Sequence, residues 1–170
     1  MKIGLLSYRS HPYSGGQGIY IKHLSKALKD LGHHVSVLSG PPYPELDDEI
    51  KLIKIPSLGM FETDNRIKLF SPKLFLSPLD LYEWFTVMTG GFPEPYTYGK
   101  RAYNFLKKNK DSFDVILDNQ CLATSLIDIQ DIFPLAVTIH HPITKDHKLE
   151  MESANNWKEK LSSIRWHNFL

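Results

Sequence analysis

Three glycines crowd one turn of this chain: Gly15, Gly16 and Gly18 in "SYRSHPYSGGQGIYIKHLSKAL" (7–28), where a short apolar run gives way to a helical pattern. A helix N-terminus offers unpaired amides and a partial positive charge, so it favours an anion such as a phosphate. Glycines ahead of it let a ligand reach those amides directly. The same glycines also serve where a tight strand-to-helix turn needs positive φ. On the motif alone both readings stand. Two common nucleotide fingerprints are excluded. "GGQG" is not G-x-G-x-x-G, and the second strand closes on "LSG" where a dinucleotide site would want an acid for the ribose. No Lys-Ser/Thr pair follows the glycines, so this is not a P-loop.

Two further strand ends carry polar groups. "DVILD" leads into Asn119 and Gln120, and "LAVTI" leads into "HHPITKD" with His140, His141, Thr144 and Lys145. His140 follows the apolar strand directly and suits either ligand contact or a structural hydrogen bond; His141 reads as its solvated neighbour. Adjacent histidines on an extended segment point to opposite sides, so His140, His141 and His147 are not expected to chelate a metal. No Cys or carboxylate stands at zinc-ligand spacing. G-x-S-x-G is absent, and Cys121 reads as a buried structural residue.

The elements that must position these groups alternate, as stacked βαβ units do. Ile3–Leu6 is a buried first strand. Tyr20, Leu24, Ala27, Leu28 and Leu31 recur at helical spacing, with Gly32 as the stop. Strands follow at 34–38, 51–55, 114–118 and 135–139. Ser77, Pro78 and Asp80 form a cap, a first-turn proline and an acidic first turn for a helix over 78–88. Further helices are expected near 96–108 and 122–131 and from about Asp146 onward. Right-handed crossovers place the first strand centrally, strands two and three on one side, four and five on the other. Ligands of open α/β sheets bind at the carboxyl ends of strands where the order reverses, here between strands one and four.

The 170 residues suit one domain, and 42% hydrophobic content is enough for a sizeable core. Twenty Lys and Arg against 19 Asp and Glu leave +1, which argues against a surface built for nucleic acid. One cysteine excludes an internal disulfide framework and fits a reducing compartment. No apolar run approaches the ~20 residues that span a bilayer, and "MKIGLLSYRS" reads as a first strand, not a signal peptide. A cytoplasmic protein is expected.

Taken in order, "MKIGLLSYRSHPYSGGQGIYIKHLSKALKDLGHHVSVLSG", "FDVILDNQ" and "AVTIHHPITK" resemble glycosyltransferase family 4, the retaining GT-B group that uses nucleotide-sugar donors. Leu117 and Asn119 stand where histidines are common in that family, and His140 takes the position of a histidine beside the donor sugar. Residues 56–98 match only in general character. The implied fold is α/β: a Rossmann-like open, mostly parallel sheet flanked by helices, the N-terminal half of a GT-B glycosyltransferase. The implied catalytic residue is His140. The implied substrate- and donor-binding residues are Gly15, Gly16, Gln17, Asn119 and Lys145, with Gly15 and Gly16 facing the donor diphosphate and the acceptor.

No metal and no cofactor beyond the nucleotide-sugar co-substrate are implied; the absence of a D-x-D motif agrees with metal-independent transfer. The family's Arg, Lys and glutamate pair for the donor lie in a C-terminal domain. With no sixth strand after "SSIRWHNFL", residues 1–170 read as one truncated Rossmann-like domain, inactive alone. Its uncovered edge is expected to promote self-association.

The resemblance implies hexosyl transfer to a hydroxyl acceptor, lipid-linked or a polysaccharide precursor. The other reading is a non-catalytic sugar- or nucleotide-binding Rossmann-like module. Residues 65–85 interleave Arg66, Lys68 and Lys73 with Leu69, Phe70, Leu74, Phe75 and Leu76. That pattern suits peripheral contact with an anionic membrane at its inner face. Packing of the same segment on the core, with the lysines solvated, is the favoured alternative.

Overall fold

A computed structural model describes residues 1–60 and 62–167. Five strands form one sheet: β1 (Lys2–Ser7), β2 (His34–Ser39), β3 (Lys51–Lys54), β4 (Val115–Asn119) and β5 (Leu135–Thr138). Their order is β3-β2-β1-β4-β5 and every pairing is parallel. The reversal between β1 and β4 is therefore where the strand order required it. Leu6 pairs with Asp118, and Asn119 with Thr138, so the polar ends of β4 and β5 come out on one edge.

Alternation along the strands divides the core in two. Ile3, Leu5, Val35 and Val37 face α1 (Gln17–Asp30), where Ile21, Leu24 and Leu28 cover them. Leu6, Leu38 and Ile116 face α3 (Glu94–Lys108) and α4 (Ser125–Gln130), packing on Tyr98, Ala102, Leu106, Leu126 and Ile129. β1 is covered on both faces, which explains its unbroken apolar run.

Several element boundaries differ from the sequence reading, each for a local reason. In α1 the buried stripe is Gly18, Ile21 and Ser25; Leu31 is 73% exposed and Ala27 faces solvent. Two small residues on the buried side let the helix sit close to the sheet, and such residues do not register as hydrophobic. Gly32, at φ 86, ends the helix as expected. α3 begins at Glu94 because prolines are tolerated in a first turn. α4 begins only at Ser125, since Gln120 and Leu122 hold φ of 50 and 52 and cannot be helical. α5 (Ile143–Ser153) starts directly after Pro142 and is followed by α6 (Trp157–His167).

Residues 65–85 form two 3₁₀ turns, Arg66–Leu69 and Pro72–Leu76, and then α2 (Pro78–Met88). Ser77 caps α2 by accepting from the Asp80 amide at 3.3 Å, as its sequence predicts. The favoured packing of this segment on the core holds only in part, with the lysines solvated as expected. Leu74 and Val87 are buried, but Ile67, Phe70, Phe75, Leu76 and Phe85 are exposed, Leu76 by 84%. What anchors the segment is polar. Glu83, fully buried, accepts from the Leu58 amide at 3.0 Å, from Thr97 at 3.2 Å and from Arg101 at 2.7 Å; Arg101 also reaches Asp80.

β5 lies at the sheet edge, and Val137, Ile139 and Ile127 expose apolar surface beside it. No helix among the described residues is long and apolar enough to cross a membrane.

Candidate functional site

The glycine turn grows out of β1. Ser7, Ser10 and Ser39 form a buried chain of hydroxyls at 2.7 and 3.1 Å, tying the ends of β1 and β2 together. Tyr98 reinforces the junction by donating to the Leu38 carbonyl at 2.7 Å and accepting from the Ser7 amide at 3.1 Å. Burial, its largest cause, pushes the Tyr98 hydroxyl well up, so it remains a donor.

The three glycines then part company. Gly15 and Gly16 hold φ of 79 and 73, and a Cβ at either would meet nothing within 4 Å. The turn needs their conformation, and the space above them is open. Gly18 is buried, and a Cβ there would overlap the carbonyl oxygens of His11 and Ser10, so it lets α1 pack against its own approach loop. Gly16 sits at the N-cap of α1, with no side chain capping the helix and no acid in the first turn. The first helical bond runs from the Tyr20 amide to the Gly16 carbonyl at 2.8 Å, and the Gln17 amide turns back onto Gly15. The remaining first-turn amides have no intrahelical acceptor.

Across the turn stand the ends of β4 and β5. Asn119 Oδ1 lies 2.6 Å from His140 Nε2. With Nε2 donating there, Nδ1 is left as an acceptor. Tyr20 meets the His140 ring edge-on at 4.6 Å, so the imidazole is held from both sides. Gln120 accepts from the His140 amide at 2.7 Å and donates to the His141 carbonyl at 3.0 Å, clamping the whole β5 exit. Asp118 accepts from the Cys121 amide at 2.9 Å and closes the β4 loop. Burial lifts its carboxyl from 3.8 to about 7, while the Cys121 and Leu122 amides pull it down. Burial likewise pushes the Cys121 thiol up, as suits an inert core residue.

Gly15, Gly16, Gln17, Tyr20, Gln120, His140 and His141 enclose a cavity of about 350 Å³. Of the residues singled out in the sequence, Gly15, Gly16, Gln17 and His140 are thus brought to one place. Asn119 is buried behind His140, and its Nδ2 has no partner among the described residues. Lys145 is exposed on α5 and is not in the lining. His141 is solvated, but its ring lies 3.8 Å from Asp146 and it belongs to the lining. His140 meets Asn119 and Tyr20, His141 faces Asp146, and both line the cavity. Among the described residues no three His, Cys, Asp or Glu side chains are placed to hold a metal ion.

Sequence reasoning missed Tyr8, Arg9 and Glu94. Arg9 lines two hollows that adjoin the cavity through Gln17, and its Nε lies 3.9 Å from Glu94 Oε2. Burial raises the Glu94 carboxyl to about 7, Arg9 pulling against it and Glu83 adding to the rise. Their position directly after β1 and at the start of α3 was the available signal.

Comparison with known proteins adds two findings. The model of the family described as Glycosyltransferase Family 4 matches residues 14–169. A protein of Mycolicibacterium hassiacum named "MMP alpha-(1->4)-mannosyltransferase" is 45% identical over 172 residues, which cover 100% of this chain and 42% of that protein.

Proposed function

The chain belongs to glycosyltransferase family 4, and from that premise we propose that it is the acceptor-side half of an enzyme transferring a hexose from a nucleotide sugar to a hydroxyl acceptor, with retention. The observation that carries this is a single cavity with an anion-suited helix start on one wall and an oriented imidazole on the other. The donor diphosphate lies against the amides at Gly15 and Gly16, where helix charge offsets that of the leaving group. His140 Nδ1 accepts from a hydroxyl of the transferred sugar and fixes the ring while its anomeric carbon gains positive character. Gln17 lines the same cavity beside them. The name of the mycobacterial relative supports mannose as the sugar and another sugar's 4-hydroxyl as the acceptor.

The chain spans 42% of that relative's length, and in this reading the groups that grip the nucleotide come from a second domain. Residues 1–170 alone bind nucleotide sugars weakly and transfer nothing. A non-catalytic binding module has less support, since the whole chain aligns with a protein named as a transferase. The test is a transfer assay with GDP-mannose and mannose oligosaccharides, run on this chain and on a two-domain form. Turnover by the two-domain form alone is expected; turnover by the 170-residue chain would overturn the division of labour.

A finer reading concerns location. Exposed Ile67, Phe70, Phe75, Leu76 and Phe85 stand among Lys68 and Lys73. Such a surface supports peripheral docking on anionic lipid at the cytoplasmic face of a membrane, where a lipid-linked acceptor would be met.

A further inference from the structure

The backbone ladder between β4 and β5 stops just short of His140. Its last pair is Asn119 with Thr138, and the register would next set Gln120 beside Ile139. Gln120 instead turns away at φ 50, a left-handed conformation that L side chains rarely adopt, and Leu122 follows at 52. The Asp118 carboxylate holds that turn by accepting from the Cys121 amide at 2.9 Å. With the main chain turned away, β4 offers residues 140 and 141 no further pair. β5 is an edge strand, so β4 is its sheet neighbour on one side only. His140 and His141 are also exposed. Packing alone therefore does not fix the segment that carries the imidazole.

The Gln120 side chain supplies the missing rung. Its Oε1 accepts from the His140 amide at 2.7 Å, and its Nε2 donates to the His141 carbonyl at 3.0 Å. One donor and one acceptor in a plane is what a peptide group would offer. Exchanging O and N would set the amide nitrogen against the His140 N–H and the oxygen against the His141 carbonyl, so the orientation is fixed. The second Nε2 hydrogen faces Nδ1 of His141 at 3.3 Å. Gln120 borders the cavity but is 3% exposed, and both of its donors are engaged within the protein. It is built to hold the chain, not to bind a ligand.

Two adjacent residues thus hold one histidine. Asn119 meets the His140 ring, and Gln120 holds the backbone from which that ring projects. We propose that Gln120 is a positioning residue for the transfer described above, on which reading its kinetic role rests. Its carboxamide extends the β4–β5 ladder and fixes His140 relative to the glycine turn. A misplacement of ~1 Å at a reacting group can cost on the order of 10²-fold in rate, so this tether acts on turnover and not on donor affinity.

The test uses two substitutions that both keep the turn. Gln120→Asn retains an amide and tolerates positive φ, but its side chain is too short to reach both partners. Gln120→Gly takes the same φ without strain and removes the amide. In the two-domain form, with GDP-mannose and a mannose oligosaccharide, each should lose about tenfold or more in kcat, with donor KM within about twofold of wild type. In the ¹⁵N-labelled 170-residue chain, the His140 amide should exchange with solvent about tenfold faster or more. The His140 ring ¹⁵N signals should shift toward the tautomer mixture of a free imidazole. Both variants should keep a cooperative melting transition.

Unchanged kcat in both variants, a rise in donor KM alone, or His140 exchange and ring signals equal to those of the wild type overturns the role. So does loss of the fold in both, which would make Gln120 a purely structural residue. If the wild-type two-domain form transfers nothing, the transferase reading falls, and the exchange and ring signals still decide whether Gln120 fixes His140.

Discussion

Oδ1 of Asn119 and Nε2 of His140 lie 2.6 Å apart, so one hydrogen bond joins the end of β4 to the exit of β5. Asn119 is 2% exposed and sits behind the imidazole, where it sets the tautomer and is screened from the cavity. Asn119→Ala should therefore act through His140. The expected result is a loss of transfer by about tenfold or more in kcat, with little change in donor KM and a stability cost of about 1–3 kcal/mol for the uncompensated buried polar group. A rise in donor KM alone would make Asn119 a direct donor contact.

Gly16 and Gly18 should fail in opposite ways. Gly16→Ala strains a positive φ but meets no neighbour, so it should cost about 1–2 kcal/mol and weaken binding of mannose 1-phosphate. Gly18→Ala forces Cβ into the His11 and Ser10 carbonyls and should cost more than Gly16→Ala, about 3 kcal/mol or above. Denaturant unfolding of the two variants checks the order. Equal costs would mean that the approach loop can retreat from α1.

Asp118 makes stability depend on pH. Its folded pKa, about 7, lies above its ordinary 3.8, so between those values the folded chain holds a proton that the unfolded chain has lost. Stability contributed by this group is thus present at low pH and lost as pH rises towards 7. The wild type should melt several degrees lower at pH 8 than at pH 5.5, an effect of roughly one to a few kcal/mol. Asp118→Asn, nearly isosteric and still able to accept from the Cys121 amide, should remove about half of that slope. Glu94, also raised by burial to about 7, accounts for a comparable share. A slope identical in wild type and variant would show that Asp118 keeps its charge in the fold.

The exposed face at 67–85 is tested with vesicles. Sedimentation with phosphatidylglycerol vesicles should capture the chain, and phosphatidylcholine vesicles should capture far less. Phe75→Ser with Leu76→Ser should remove binding, and raising the salt should reduce it. Both side chains are exposed, Phe75 by 65%, so the double variant should keep its melting temperature. Equal capture by both lipids, or by neither, would leave this face without a membrane role.

The strand order was legible in the sequence because parallel strands covered on both faces leave unbroken apolar runs, as in Ile3–Leu6. Gly32 and Ser77 were legible because a helix stop and an N-cap each need a particular local chemistry. The core-facing side of α1 was legible only in part: Leu24 and Leu28 signalled it, but Gly18 and Ser25, its small buried residues, did not. The role of Asn119 was also hidden. It depends on the β4–β5 register, which sets Asn119 beside Thr138 and so His140 two residues beyond its pair. One of the hollows lined by Arg9 was out of reach for a similar reason: it joins residues from β1's exit, α3's start and α6 that no local pattern relates.

The central claim is that the glycine turn and His140 form one catalytic cavity, and transfer by His140→Ala tests it most directly. The measurement compares wild type, His140→Ala and His141→Ala in the two-domain form, with GDP-mannose as donor and a mannose oligosaccharide as acceptor. His140→Ala should keep its fold and nucleotide affinity and lose about 10²–10³-fold in turnover, the scale of one preorganised polar contact. His141→Ala should lose far less. Equal losses in the two variants, or undiminished transfer by His140→Ala, would contradict the account.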